Sequence, residues 1–367
     1  MRFAAVVGAR PNFMKMAPLL RALEQHPYVQ TDLIHTGQHY DENLSEVFFR
    51  HLGIREPDLR LEVGSGSHGA QTARILERVE EVLQQGGYDR LIVVGDVNST
   101  MAAALAAVKL EIPVAHVEAG LRSFDRSMPE EINRIVTDAV ADMLFVTEPS
   151  GVENLLREGH PREHVHLAGN VMIDTLFRLL PQSRELGLLS RHGLTPGEYG
   201  VVTMHRPANV DTPESLGPLL DVLCEISREL PVAFPIHPRT RKRIEQFGMT
   251  DRLAGKGMLL LEPLGYLDFL ALTSQAKVIV TDSGGLQEES TALNIPCLTM
   301  RPNTERPITV EEGTSTLVGS NSERLRSELK AVLNGRYKQG RCPALWDGHA
   351  AERIAEILAV GSAKDTR

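Results

Sequence analysis

The residues best suited to chemistry gather where apolar runs stop. Residues 278–290 read Val-Ile-Val-Thr-Asp-Ser-Gly-Gly-Leu-Gln-Glu-Glu-Ser. The β-branched run ends at Thr281, a glycine turn follows, and a helical pattern opens near Leu286. N–H groups at a helix start lack intrahelical partners, and the positive end of the macrodipole favours an anion. Ser283, Gly284 and Gly285 therefore make a candidate phosphate corner. Glu288 and Glu289 lie one turn further in. A carboxylate repels phosphate but accepts hydrogen bonds from sugar hydroxyls, so phosphate and ribose together point to a nucleotide. An ordinary strand–turn–helix corner has the same local pattern.

Other strand ends carry charge. Gly8-Ala-Arg-Pro11 places Arg10 at a turn fixed by Pro11, with Lys15 near the start of the next helix. Cations there oppose the macrodipole unless an anion sits between them. No G-x-G-x-x-G follows this first strand, so the dinucleotide fingerprint is missing. Asp96 follows another strand, where it could also cap the next helix. His116 and Glu118 share one strand face, and Pro129-Glu-Glu-Ile-Asn-Arg134 opens a helix. Singly, each acid has a structural explanation. Asp96, Glu118 and Glu130 at three ends facing one cleft form a candidate acid/base set with diverging pKa values. Later strands end at His205-Arg206-Pro207 and His237-Pro238-Arg239, poor settings for packed core histidines. Arg306 could grip phosphate with its guanidinium fork. The histidines and carboxylates lack H-x-x-x-H or D-x-D spacing, so no metal site is expected.

The elements that must hold these residues alternate. Strand-like runs fall at 3–7, 31–35, 91–94, 114–117, 143–145 and 165–167, then at 200–204, 232–236, 258–260, 278–280 and 297–300. Helical patterns occupy 13–25, 42–51, 71–84, 100–109 and 130–139, then 213–228, 241–247, 267–273, 286–292 and 323–333. Strands apolar on both faces and separated by helices imply parallel sheets covered on both sides. The pattern pauses at the Gly- and Pro-containing stretch 169–197, and residues 170–180 look like a helix opening the second half. The expectation is α/β, with two doubly wound Rossmann-like domains at 1–168 and 169–349 and a last helix at about 350–367. The hinge is placed at 168–172, and the ligand is expected in a crevice beyond the strand C-termini.

Composition sets the outer limits. A chain of 367 residues favours two domains. A net charge of −9 without a long basic run argues against nucleic acid as the main partner. Three scattered cysteines suggest a reducing compartment without a disulfide framework. The first residues run straight into a strand, so no signal peptide is expected. No apolar run approaches the roughly 18 residues that span a bilayer. A cytoplasmic protein with no membrane partner is the expectation.

Taken together, the motifs resemble the bacterial UDP-N-acetylglucosamine 2-epimerase family over about residues 1–360. The carrying segments are Gly8-Ala-Arg-Pro11 with Lys15, Thr36-Gly-Gln-His39, Gly95-Asp96, His116-Val-Glu-Ala-Gly-Leu-Arg122, Pro129-Glu-Glu-Ile-Asn-Arg134, Met204-His-Arg206, Thr281-Asp-Ser-Gly-Gly-Leu-Gln-Glu-Glu289 and Thr304-Glu-Arg-Pro307. The resemblance implies a glycosyltransferase-B-like fold with an interdomain active site, the last helix packing back on the first domain, a homodimer and no cofactor. It implies acid/base roles for Asp96, Glu118, Glu130 and His205. It implies substrate binding by Arg10, Lys15, Arg134, His237, Ser283, Gly284, Gly285, Glu289 and Arg306, with Phe269 packing on uracil. The implied reaction is non-hydrolysing, from UDP-GlcNAc to UDP-ManNAc, by elimination and re-addition of UDP through a 2-acetamidoglucal in polysaccharide precursor synthesis.

The chain departs from the family pattern in places. Gln38-His39-Tyr40-Asp41-Glu42 and Ser67-His68-Gly69-Ala70 differ from the segments of substrate-activated members. Asp96-Val-Asn-Ser-Thr100 and His205-Arg-Pro-Ala-Asn-Val210 resemble relatives acting on other sugars, including diacetamido-uronic acids. A hydrolysing epimerase remains an alternative, although Val117-Glu-Ala-Gly-Leu-Arg122 stands where those enzymes carry a His-Gly-Gly-Glu type segment. So do a glycosyltransferase sharing the donor site and a non-catalytic nucleotide-sugar sensor.

Overall fold

The computed structural model describes residues 1–37, 49, 53, 55–253 and 257–364. The helix expected at 42–51 falls outside these residues except at Phe49, as do Gln38, His39, Tyr40, Asp41 and Glu42. Two compact units form, one from Met1–Arg178 with Ala344–Arg367, the other from Leu179–Pro343.

The first unit contains β1 (Arg2–Val7), α1 (Arg10–Leu23), β2 (Gln30–His35), β3 (Leu59–Arg60), α2 (His68–Gly86), β4 (Arg90–Val94), α3 (Asn98–Lys109), β5 (Val114–Ala119), α4 (Pro129–Val140), β6 (Met143–Val146), α5 (Pro149–Arg157), β7 (Val165–Leu167), most of α6 (Val171–Glu185) and the last helix. Its strands lie in the order β3-β2-β1-β4-β5-β6-β7, every pairing parallel. The order reverses between β1 and β4, which makes that edge the binding crevice of a doubly wound sheet. The central strands are buried on both faces, as their unbroken apolar runs require. Ala102, Ala103, Ala104, Ala106 and Ala107 let α3 lie close against the sheet.

The division expected at residue 168 is displaced. The start of α6 belongs to the first unit: the Thr175 hydroxyl donates to Met14 O at 2.6 Å. The Asp174 carboxylate accepts from the N–H groups of Ala350 and Ala351, capping the helix Ala350–Lys364. Trp346, fully buried, donates its indole N–H to Thr147 O. That terminal helix packs on α1.

The second unit holds the rest of α6, then α7 (Leu188–Arg191), β8 (Gly200–Thr203), α8 (Pro207–Val210), α9 (Pro213–Ile226), β9 (Val232–Pro235), α10 (Pro238–Gln246), β10 (Met258–Leu261), α11 (Tyr266–Thr273), β11 (Val278–Thr281), α12 (Gly284–Ala292), β12 (Cys297–Thr299), α13 (Ile308–Glu311), β13 (Ser315–Leu317) and α14 (Ser322–Leu333); the terminal helix is α15. Its sheet runs β10-β9-β8-β11-β12-β13, all parallel, with the reversal between β8 and β11. Leu216, Leu219, Leu220 and Leu223 of α9 bury one side of this sheet with Phe234 and Leu298. Among the described residues, no helix is long and apolar enough to cross a membrane.

Candidate active site

In the first unit the reactive side chains meet at the β1/β4/β5 corner. Arg10 is the first residue of α1, with Pro11 in the opening turn, where its missing N–H costs nothing. Asn12 fixes this entry, accepting from the Ala9 N–H and donating to Val94 O at 2.9 Å. One turn on, Lys15 reaches Glu118, its Nζ lying 2.7 Å from Oε1 and 2.6 Å from Oε2. The pair is nearly dry, with side chains 11% and 2% exposed. Glu118 sits at φ +73°, a left-handed conformation that costs a non-glycine residue free energy. The ladder to β6 shifts register between Val117 and Ala119, where the strand takes up this kink.

Asp96 joins the same corner. A Cβ on the preceding Gly95, itself at φ +72°, would lie 3.4 Å from Lys15 Nζ. The Asp96 carboxylate takes Arg134 Nη1 at 2.5 Å, and its backbone carbonyl accepts from Asn133 at 2.9 Å. It does not cap α3, whose N-cap is Val97 without a side-chain bond. Arg134 is held from behind by Glu131 at 2.6 Å, and Glu131 also accepts from the N–H groups of Ser123 and Phe124. Burial works to raise the Glu131 carboxyl; these donors and Arg134 more than offset it and hold it below its ordinary range. Glu130, next to it in the first turn of α4, is exposed.

His116 is a brace. It is fully buried, with Nδ1 2.6 Å from Asp138 and Nε2 2.9 Å from Gly95 O. Asp138 also takes Arg122 at 2.7 Å and the Gly120 N–H. Burial raises the Asp138 carboxyl, and His116 and Arg122 together bring it below the ordinary range. This lattice ties the ends of β4 and β5 to α4, so the Asp96 and Glu118 turns hold their places.

In the second unit Asp282 is the organising residue. Wholly buried, it accepts through Oδ2 from the N–H groups of His205 and Arg206, both at 2.8 Å, and from Asn209 at 3.2 Å. Its Oδ1 lies 2.9 Å from His205 Nδ1. Burial pushes the Asp282 carboxyl up, but His205 and the two backbone donors bring it below the ordinary range. An ionised Asp282 requires the proton on Nδ1, which leaves Nε2 of a half-exposed ring for chemistry. The His237 ring, at the N-cap of α10, lies 5.3 Å from that of His205, centroid to centroid. Burial, then the neighbouring His205, lowers the His237 pKa.

The glycine turn opens α12, with Ser283 at the N-cap and no side chain capping the first amides. A Cβ at Gly284 would meet Glu305 Oε1 at 3.0 Å and Arg301 Nη1 at 3.4 Å, so a side chain there would press on the buried Arg301–Glu305 pair. One at Gly285 would meet nothing within 4 Å, so packing does not explain that glycine. Arg306 is buried, 2.6 Å from Glu288 and in contact with Glu305. Glu289 is buried too, accepting from the Tyr266 hydroxyl at 3.1 Å, and burial lifts its carboxyl to about 7. Phe269 is half-buried against the core cluster under α11.

The structure thus brings Lys15, Asp96, Glu118 and Arg134 together, with Arg10 at the start of the adjoining helix. It separately brings together His205 and His237, and the 283–285 turn with Glu289 and Arg306. Sequence reading missed Asp282, Glu131, Asp138 and Asn12. Each is an ordinary polar residue whose role depends on which way it turns. Among the described residues no group of three or more His, Cys, Asp or Glu side chains could hold a metal ion.

A crystal structure of Methanocaldococcus jannaschii UDP-GlcNAc 2-epimerase, in complex with UDP-GlcNAc and UDP, is similar to this chain. The TM-score is 0.87 at 41% identity, over 98% of this chain and 100% of that one. The Neisseria meningitidis UDP-GlcNAc 2-epimerase bound to UDP-GlcNAc gives a TM-score of 0.87 at 29% identity, over 98% and 99% of the two chains. The UDP-2,3-diacetamido-2,3-dideoxy-D-glucuronate 2-epimerase of Pseudomonas aeruginosa is 39% identical over 98% of this chain and 99% of its own length. Two parallel α/β units, a fold shared with such proteins, and the reactive groups found here at their switch points define a glycosyltransferase-B-like enzyme of nucleotide sugars. The profile of the UDP-N-acetylglucosamine 2-epimerase family matches residues 21–359. The chain belongs to that family, and it is an isomerase, a nucleotide-sugar 2-epimerase.

Proposed function

We propose that the chain interconverts UDP-GlcNAc and UDP-ManNAc without net hydrolysis. Carbon 2 of an N-acetyl sugar carries no acidic proton, so the route is elimination. A base takes the carbon 2 proton, the C–H pair becomes the C1=C2 double bond, and the C1–O bond breaks with its electrons leaving on UDP. The 2-acetamidoglucal then receives a proton at carbon 2 from the opposite face, and UDP oxygen re-forms the bond to carbon 1.

The observation that carries this reading is the pairing of Glu118 with Lys15 and Asp96 with Arg134 at one switch point. Two carboxylates with separate cation partners, one on a strained turn, suit acid/base work on two faces of a ring. Glu130, exposed in the first turn of α4, completes the proposed set. The proposal assigns the departing diphosphate to the 283–285 amides, supported within the second unit by Arg306 and His205, because fixed donors favour developing anionic charge. A glycine at 285 that packing does not require supports close approach of a phosphate there. His237, Phe269 and Glu289 are assigned to the nucleoside, and Lys15 and Arg134 to the sugar and diphosphate. The proposed cellular setting is the cytoplasm, with a homodimer supplying precursors of surface polysaccharides.

A second reading, a UDP-diacetamido-uronic acid as substrate, is favoured by the 39% identity to the Pseudomonas enzyme. Incubating the chain with each UDP-sugar, and following both epimers and free UDP by NMR, separates the two. The proposal expects UDP-ManNAc from UDP-GlcNAc with UDP staying in the nucleotide sugar. Stoichiometric free UDP, or turnover of the uronate alone, contradicts it.

A further inference from the structure

Glu288 and Glu289 are adjacent and both buried, but their partners differ in kind. Glu288 faces the Arg306 guanidinium at 2.6 Å. Glu289 accepts from a neutral phenol, the Tyr266 hydroxyl, at 3.1 Å. Tyr266 is the first residue of α11, and Phe269 lies one turn along the same helix. Residues three apart are neighbours on a helix surface. One turn of α11 therefore sets a hydroxyl that grips a carboxylate beside an aromatic ring. A nucleoside presents the same two features side by side, a flat base and a vicinal diol.

We propose that Tyr266 is a positioning residue for the ribose of the nucleotide, its hydroxyl holding Glu289 in the orientation that accepts the diol. The inference rests on the reading that Glu289 faces the ribose. One carboxylate can accept from both hydroxyls of a diol, but only while its plane is fixed. Pinning Oε1 from α11 fixes that plane and links it to the helix that carries Phe269. Without the pin the carboxylate rotates, and a donor on the ribose no longer meets it in line.

The test is the affinity of the full chain for UDP and for 2′-deoxy-UDP, measured by calorimetry with the wild type, Tyr266→Phe and Glu289→Gln. The wild type should prefer UDP. Tyr266→Phe should cut that preference by about fivefold, the range of one neutral hydrogen bond. It should leave 2′-deoxy-UDP affinity within about twofold and the chain folded, with the melting temperature lowered by no more than the loss of one buried hydrogen bond. Glu289→Gln should lose most of the preference. A full preference in Tyr266→Phe, or an equal loss for both ligands, overturns the positioning role. A full preference in Glu289→Gln as well overturns the assignment of Glu289 to the ribose.

Discussion

Replacing Asp282 by Asn tests the second unit's machinery with one atom. The aspartate uses both oxygens: Oδ2 takes two backbone N–H groups at 2.8 Å, and Oδ1 faces His205 Nδ1 at 2.9 Å. Asparagine has a single oxygen. Turned toward His205, it would set its NH2 against two part-buried N–H donors, each left unsatisfied at up to about 1–3 kcal/mol. The oxygen therefore stays with the backbone, and the NH2 faces Nδ1. His205 must then accept at Nδ1 and carry its proton on Nε2, the reverse of the wild-type tautomer. If Nε2 moves a proton or meets the leaving diphosphate, turnover should fall by about 10²- to 10⁴-fold, the usual worth of a positioned acid or base. The fold should persist, since the backbone bonds remain. Steady-state kinetics of epimerisation and a melting curve check both halves. A folded Asp282→Asn protein within about threefold of wild-type kcat would refute the dyad.

Lys15→Met should destabilise the chain by about 3–5 kcal/mol, because it leaves a carboxylate that is 2% exposed without its cation. Urea denaturation measures this, and adding Glu118→Gln should recover part of the loss. Glu289 gives a pH signature. Its carboxyl is raised from 4.5 to about 7, so its protonated form contributes stability fully present below about pH 4.5 and lost as pH rises through 7. The difference amounts to about 3 kcal/mol. Glu289→Gln should therefore gain on the wild type between pH 5 and pH 8, and parallel denaturation curves at the two pH values would contradict the shift.

Much of the frame was legible because strand ends are marked by composition. The runs at 91–94 and 278–280 are apolar on both faces, which only a doubly covered parallel sheet explains, and the reactive groups follow them directly. Helix starts were less legible. α1 begins at Arg10 rather than 13 because Pro11 fits its first turn, and α10 begins at Pro238 because His237 caps it. Pro149 at the start of α5 was a usable signal that went unread. The two-residue β3 and the three-residue β13 are too short to leave a period. The supporting partners were illegible for a deeper reason. Asp282, Glu131 and Asp138 resemble surface acids in sequence, and only their tertiary donors make burial tolerable. The domain limit at 168 missed because Asp174 is spoken for by a helix far along the chain.

The most direct test of the account is the fate of hydrogen at carbon 2. The chain is incubated with UDP-GlcNAc in heavy water, and both epimers are read by NMR and mass. Deuterium should enter carbon 2 of UDP-GlcNAc and UDP-ManNAc while total UDP-sugar is conserved. Asp96→Asn, Glu118→Gln and Glu130→Gln should slow that exchange far more than they weaken UDP binding. Epimerisation without deuterium at carbon 2, or near-normal exchange in all three variants, would contradict it.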